Sequence, residues 1–211
     1  PPPAQPWDWK TPPDKEVVDL VAASGTDLAP KPRRSSKDIG CREVRGKATI
    51  PANGAVVLAR IEEAPAMIRA LELTIPAKRA IELDAARLRV TWDSRPHPSI
   101  DAPVPLFFGA GTLGDRSPRE YLVKGFPSYI RFAGGKAHLA CFWPMPFFRS
   151  ARIELVGEGG KPIRGVEWSV RYEAYDGPPN HLCYFHATYK DHPNPIPGQD
   201  NVLLDTRKAE G

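Results

Sequence analysis

The side chains with the widest chemical range in this chain are a histidine–cysteine group near its C-terminal end, His181, Cys183, His186 and His192, and a scatter of carboxylates. Zinc would need thiolates and imidazole nitrogens converging tetrahedrally, normally from closely spaced ligand pairs. On an extended strand His181 and Cys183 share a face, while His186, an odd number of residues from His181, points the other way. No close spacing recurs, so no metal site is expected and the histidines read as separate polar or packed side chains.

Acid–base hydrolysis of a glycosidic bond needs two carboxylates flanking one bond. Glu72, Glu82, Glu154, Glu167 and Glu173 alternate with apolar residues, as the solvated face of a strand does. Asp93, Asp101, Asp115 and Asp176 fall in turn-like stretches, where hydrogen bonds to local backbone account for them. Asp38 alone is ambiguously placed, so no catalytic pair is assigned. Phosphate-cradling and nucleophile-elbow patterns are absent, Gly109-Ala110-Gly111 being the nearest approach, and no cofactor is expected. The run Cys141-Phe142-Trp143-Pro144-Met145-Pro146-Phe147-Phe148 is more suggestive. Its prolines bend the backbone out of regular pairing, and its rings suit sugar stacking, a subunit interface or simple core packing.

The elements that must carry these residues are mostly strands. Short β-branched or aromatic runs occur at Ala55–Ile61, Met67–Ile75, Leu88–Trp92, Tyr129–Phe132, Ala137–Trp143, Arg152–Val156, Val166–Tyr175 and Leu182–Tyr189. Turn-forming residues separate them, which indicates an antiparallel sandwich or barrel, and no βαβ rhythm is present. In Val166-Glu167-Trp168-Ser169-Val170-Arg171-Tyr172 one face is apolar and the other polar. Residues 1–34 read instead as an extended proline-rich arm, with residues 35–211 as the sandwich. One short helix fits inside the arm: Thr11 is placed to cap it, Pro12 suits its first position, and Val17, Leu20 and Val21 share a face before Gly25. Trp7 and Trp9 suggest that the arm packs against a neighbour. Val202–Leu204 reads as a last strand.

With 211 residues the chain is long enough for a sizeable core, and 41% hydrophobic with 26% charged residues is ordinary for a globular protein. The net charge of +4 comes from basic residues scattered along the chain, densest at Lys31, Arg33, Arg34 and Lys37. No basic stripe with interleaved aromatics exists, so nucleic acid is not an expected partner, and no apolar run is long enough for a membrane span. Three cysteines allow at most one disulfide, and Cys141 and Cys183 in apolar runs read as small buried hydrophobes. The chain begins at Pro1 without an initiator methionine, which a removed leader and a trimmed chain explain equally, and a secreted or periplasmic location is the expectation.

Several segments together resemble glycoside hydrolase family 172. They are Leu88-Arg89-Val90-Thr91-Trp92-Asp93, Pro105-Leu106-Phe107-Phe108-Gly109, Phe142 to Phe147 followed by Ser150-Ala151-Arg152-Ile153, Tyr184-Phe185-His186-Ala187, and Asp200 to Asp205. The resemblance implies a jelly-roll fold, two such sandwiches per subunit, trimer-based assembly, and activity on furanosides. The family's catalytic glutamates lie in the second sandwich, so no catalytic residue is carried onto this chain. Its implied contributions are supporting ones: Asp38 on sugar hydroxyls, Phe107 and Phe108 as loop wall, Trp143 and Phe147 as stacking surface, and His186 as a polar contact. Near the front, Ser35, Ser36, Asp38 and Gly40 match the family segment, but its tyrosine, arginine and asparagine are absent. Two functions follow. One is the N-terminal sandwich of a furanosidase-like enzyme, in a homo- or hetero-oligomer whose second sandwich is supplied by another chain. The other is a non-catalytic structural or carbohydrate-binding protein.

Overall fold

The computed structural model describes residue 8 and residues 10–32, 40–114 and 119–200. Asp38, Trp7, Trp9, Asp115 and Val202–Leu204 lie outside them. Two sheets dominate. The seven-stranded sheet runs β1 (Arg42–Ile50), β11 (Ile163–Ala174), β3 (Ala66–Pro76), β8 (Lys136–Cys141), β7 (Ser128–Ala133) and β6 (Tyr121–Lys124), with β9 (Met145–Phe147) also pairing β3. The five-stranded sheet runs β12 (Ala187–Thr188), β5 (Ile100–Pro103), β4 (Ala86–Trp92), β10 (Ala151–Gly157) and β2 (Gly54–Ile61). Every pairing is antiparallel except β12 with β5. The inner faces of both sheets meet in one hydrophobic core, so the expected all-β antiparallel sandwich is the architecture.

Alternation builds that core. In β4, Leu88, Val90 and Trp92 are buried while Arg87, Arg89 and Thr91 point outward. Trp92, Phe108 and Phe147 are the largest fully buried side chains, and Trp92 and Phe147 stack at 6.2 Å with 6° between ring planes. A 3-10 stretch, Ala77–Ala85, carries the chain from one sheet to the other and buries Ala80 and Leu83. Glu82 belongs to this stretch rather than to a strand face, and pairs with Arg79 at 2.7 Å.

The N-terminal helix α1 spans Lys15–Ala22 with Asp14 at its N-cap, later than the Thr11 start expected from sequence. Pro13 disfavours helical geometry at Pro12, so the chain stays extended until Asp14. Its apolar residues Val17, Leu20 and Val21 are exposed. After the helix, Gly25 adopts φ 76 and its N–H donates to Gly125 at 2.9 Å. A Cβ there would lie 2.8 Å from the Tyr121 ring, so a small left-handed residue is required for the chain to pass β6. The following residues are fastened by Arg171. Far from lying on a solvated face, Arg171 is 3% exposed. It donates to the Asp27 and Glu72 carboxylates at 2.7 and 2.8 Å and to the Pro30 carbonyl at 3.0 Å. Burial alone would raise the Asp27 pKa, but the Arg171 and Lys31 cations outweigh it and hold the carboxyl below its usual range.

Candidate functional site

The site begins with Trp92. A fully buried indole must place its N–H, and it does so on the Phe185 carbonyl at 2.8 Å. That bond anchors Tyr184-Phe185-His186 to the end of β4. The expected strand Leu182–Tyr189 is reduced to Ala187–Thr188, which pairs parallel to β5, while the Phe185 carbonyl before it is spent on Trp92.

Immediately after Trp92 the chain turns through Asp93 and Ser94, both left-handed at φ 54 and 57. The turn aims the Asp93 carboxylate at another loop, where Oδ1 accepts from the backbone N–H groups of Phe148, Arg149 and Ser150 at 3.0, 2.7 and 3.0 Å. Tyr184 donates its hydroxyl to Oδ2 at 2.5 Å. Partial burial works to raise the Asp93 pKa, yet Tyr184 and the three amides prevail and keep the carboxyl below its usual range. The Tyr184 phenol is displaced upward in turn, first by burial and then by its bond to the Asp93 carboxylate. Arg95 lies over the Tyr184 ring at 4.3 Å from the centroid.

Around this hub the aromatic residues form a continuous path. Trp143 approaches Phe185 at 6.4 Å, Phe185 meets Phe107 edge-on at 6.4 Å, and Phe107 meets Phe108 edge-on at 5.2 Å. Of the residues expected from sequence, Trp143 is the open ring, 48% exposed, beside a shallow groove shared with Leu28, Phe126, Phe142 and Arg69. Phe107 is half-buried between its neighbours. Phe108 and Phe147 are fully buried, so neither presents a stacking surface in this chain. The prolines around Phe147 do not lift it outward, because Met145–Phe147 is a short strand paired with β3 through Phe147 opposite Ala66. His186 is exposed, and partial burial together with the Arg95 charge holds its imidazole below the usual range, which favours the neutral form near pH 7.

Sequence reasoning missed the polar half of the site. A cavity of about 540 Å3 adjoins the Asp93 turn on the outer face of the five-stranded sheet, lined by Arg60, Arg89, Arg95, Arg152, Glu62 and Glu154. Glu154, expected on a solvated face, is 5% exposed and pairs with Arg152 at 2.6 Å. Asp101, expected in a turn, lies on β5 and pairs with Arg87 and Arg89 at 2.7 and 3.2 Å. The available signal was alternation: Arg89 and Thr91, like Arg152 and Glu154, lie two apart on neighbouring strands, but only the register reveals that they meet. Among the described residues no histidine, cysteine and carboxylate side chains converge as a metal site requires. Cys41 and Cys141 are buried free thiols, Cys141 being pushed to about 12 by burial, whereas Cys183 is exposed and free instead of buried. No described helix is long and apolar enough to cross a membrane.

The segments that converge here thus come from four separate stretches of sequence: the β4 end, the Phe107–Phe108 turn, the Trp143–Ser150 loop and the Tyr184–His186 segment. Three of the four fall inside the match to a family model described as GH172 domain-like, which covers residues 41–170. No curated protein matches the chain. The family match spans well over half of the 211 residues, and on that ground the chain belongs to the GH172 domain-like family of glycoside hydrolase relatives.

Proposed function

We propose that this chain is the N-terminal, jelly-roll sandwich of a furanosidase-like glycoside hydrolase. It contributes assembly surface and pocket-wall residues, while the catalytic glutamates lie in a second sandwich or a partner chain. The observation that carries this reading is the convergence of the family segments on one end of the sandwich, where Trp143 and His186 reach the surface. An exposed tryptophan beside a groove offers the flat apolar face that sugar rings stack on. Asp93 and the aromatic path hold that face rigid from behind. Asp93 is already committed to backbone amides and Glu154 to Arg152. This division of labour fits a wall that positions a sugar while another sandwich cuts it. Trimer-based assembly and a secreted or periplasmic setting belong to the same proposal.

A second reading, a non-catalytic structural or carbohydrate-binding sandwich, is favoured by the same commitment of carboxylates and by the altered front segment around Ser35 and Asp38. Intact mass of the natively purified assembly, followed by denaturing separation, distinguishes the two. Paired glutamates on a second sandwich, in a longer polypeptide or in a companion chain at fixed stoichiometry, are expected. A homo-oligomer of this sandwich alone overturns the hydrolase reading and leaves the second.

A further inference from the structure

The cavity beside the Asp93 turn has a composition that the stacking site does not explain. In β10 and β4, Arg152 lies opposite Thr91 and Glu154 opposite Arg89, while Arg60 of β2 lies opposite Arg152. Five polar side chains are thereby set on one outer face. A bulge sharpens the arrangement: Ile153 pairs with Ala59 but Glu154 with Val57, so Leu58 is an extra residue beside Glu154. Bulges re-aim side chains, and they recur next to binding sites.

The guanidinium groups are incompletely used. Arg89 donates through Nη2 to Asp101 at 3.2 Å, but its Nε is buried with no acceptor. That Nε is closed to solvent, so a ligand in the cavity meets Arg89 through the exposed part of its guanidinium. Among the described residues Arg60 and Arg95 form no ion pair with a carboxylate. Arginine forks match carboxylate oxygens two at a time. Glu62 and Glu154 also line the cavity, and an ionised carboxylate only accepts hydrogen bonds. A bare inorganic anion would face them as like charges. A ligand carrying both a carboxylate and hydroxyl groups satisfies both halves of the lining, and the Thr91, Ser94 and Ser150 hydroxyls can serve it in either sense. The volume of about 540 Å3 lies within the range of small-molecule sites.

We propose that this cavity binds an acidic sugar, its carboxylate held by Arg60, Arg89 and Arg95 and its hydroxyls by Glu62 and the Thr91, Ser94 and Ser150 side chains. The sugar part rests on the carbohydrate reading above; the carboxylate part rests on the cavity alone. The test is calorimetric titration of the purified chain at low salt with D-glucuronate and D-galacturonate, against D-glucose and inorganic phosphate. At least one uronate is expected to saturate a single site, with glucose about tenfold weaker or more, as loss of a charge-assisted contact implies. Arg60→Gln, at an exposed position, is expected to weaken uronate binding about tenfold without changing the melting temperature. Arg89→Lys provides a second reading of the same contact. The proposal is overturned if neither uronate binds, if glucose binds equally well, if phosphate alone binds, or if Arg60→Gln and a folded Arg89→Lys both bind as wild type does. No partner chain is needed for this titration. Uronate binding, together with a native assembly that holds this sandwich alone, would therefore uphold the cavity while overturning the hydrolase reading.

Discussion

At one end of the sandwich Asp93 gathers three backbone amides and a phenol; on the outer face of the seven-stranded sheet Arg171 gathers two backbone carbonyls and two carboxylates. Each is a single charge fastening a remote segment, Asp93 the Tyr184 region and the Phe148–Ser150 loop, Arg171 the residues after α1. Their partners differ in kind. The amides belong to a fixed loop, where that of Arg149 is exposed and those of Phe148 and Ser150 are part-buried, so water replaces Asp93 only in part. Carboxylates at 27% and 31% side-chain exposure can return to water when Arg171 is gone. The comparison teaches that the cost of deleting a buried charge is set by what its partners can do without it.

The largest effect is therefore expected at Asp93. Asp93→Ala removes the acceptor of the Phe148, Arg149 and Ser150 amides and puts alanine at φ 54, a left-handed conformation that aspartate tolerates better. A loss of about 3 kcal/mol in urea unfolding is expected. A loss below about 1 kcal/mol would mean that water replaces the carboxylate, and the contrast with Arg171 would collapse.

Arg171→Met should cost less, about 1–2 kcal/mol, since the Asp27 and Glu72 carboxylates rehydrate and methionine keeps much of the buried stem. Its signature is local. The Gly25 amide, bonded to the Gly125 carbonyl, should lose hydrogen-exchange protection as the segment detaches, while core amides on β4 and β8 keep theirs. Uniform loss of protection across the core would show that Arg171 holds the sheet itself rather than the segment.

Acid separates the two fasteners more finely. Asp93 and Asp27 both have folded pKa values held below the ordinary one, so each contributes stability present above the unfolded value of about 3.9 and lost as pH falls through the folded value. The urea midpoint should be flat from pH 7 to about 5 and fall below about 4. Asp93→Asn should shrink that fall, because the group that protonates is gone. Arg171→Met should shrink it too, through Asp27, by a smaller amount because Lys31 still holds that carboxylate. Identical acid profiles in wild type and both variants would remove the electrostatic basis of the comparison.

How much of this was legible in the sequence follows the range of the interaction. Strands β2, β3, β4, β7, β8, β10 and β11 were visible because seven or more alternating or apolar residues carry a period, or because turn residues bracket them. Strands β5, β6 and β9, at three or four residues, are too short to show one and exist through their neighbours. At the site, Trp143 and His186 were found as surface groups, but Phe108 and Phe147 were indistinguishable from them by residue type. Only the β9–β3 register puts Phe147 inside. By sequence Asp93 reads as a turn residue and Arg171 as part of a strand's polar face, because their partners lie 55 and 144 positions away. Arg89, Glu154 and Arg60 were hidden for the same reason, since no local pattern announces which polar face meets which across a sheet.

The smallest change tests which of Asp93's partners matters most. Tyr184→Phe removes one hydroxyl donor and leaves the ring contacts, edge-on to Phe148 at 5.4 Å and under Arg95 at 4.3 Å. Three amides remain on the carboxylate, so a loss of about 1 kcal/mol is expected, well short of Asp93→Ala. Without the phenol the Asp93 carboxyl moves back toward its ordinary value, and the fall in stability below about pH 4 becomes shallower. The reciprocal effect belongs to Tyr184, whose phenol is raised by burial and by the Asp93 charge. Asp93→Asn should therefore bring its ionisation, followed by alkaline ultraviolet titration, to lower pH. A Tyr184→Phe chain with an unchanged acid profile would assign the depression of Asp93 to the backbone amides alone. The hub would then be a loop-to-loop clasp, with the Tyr184–His186 segment held chiefly through Trp92 and the Phe185 carbonyl.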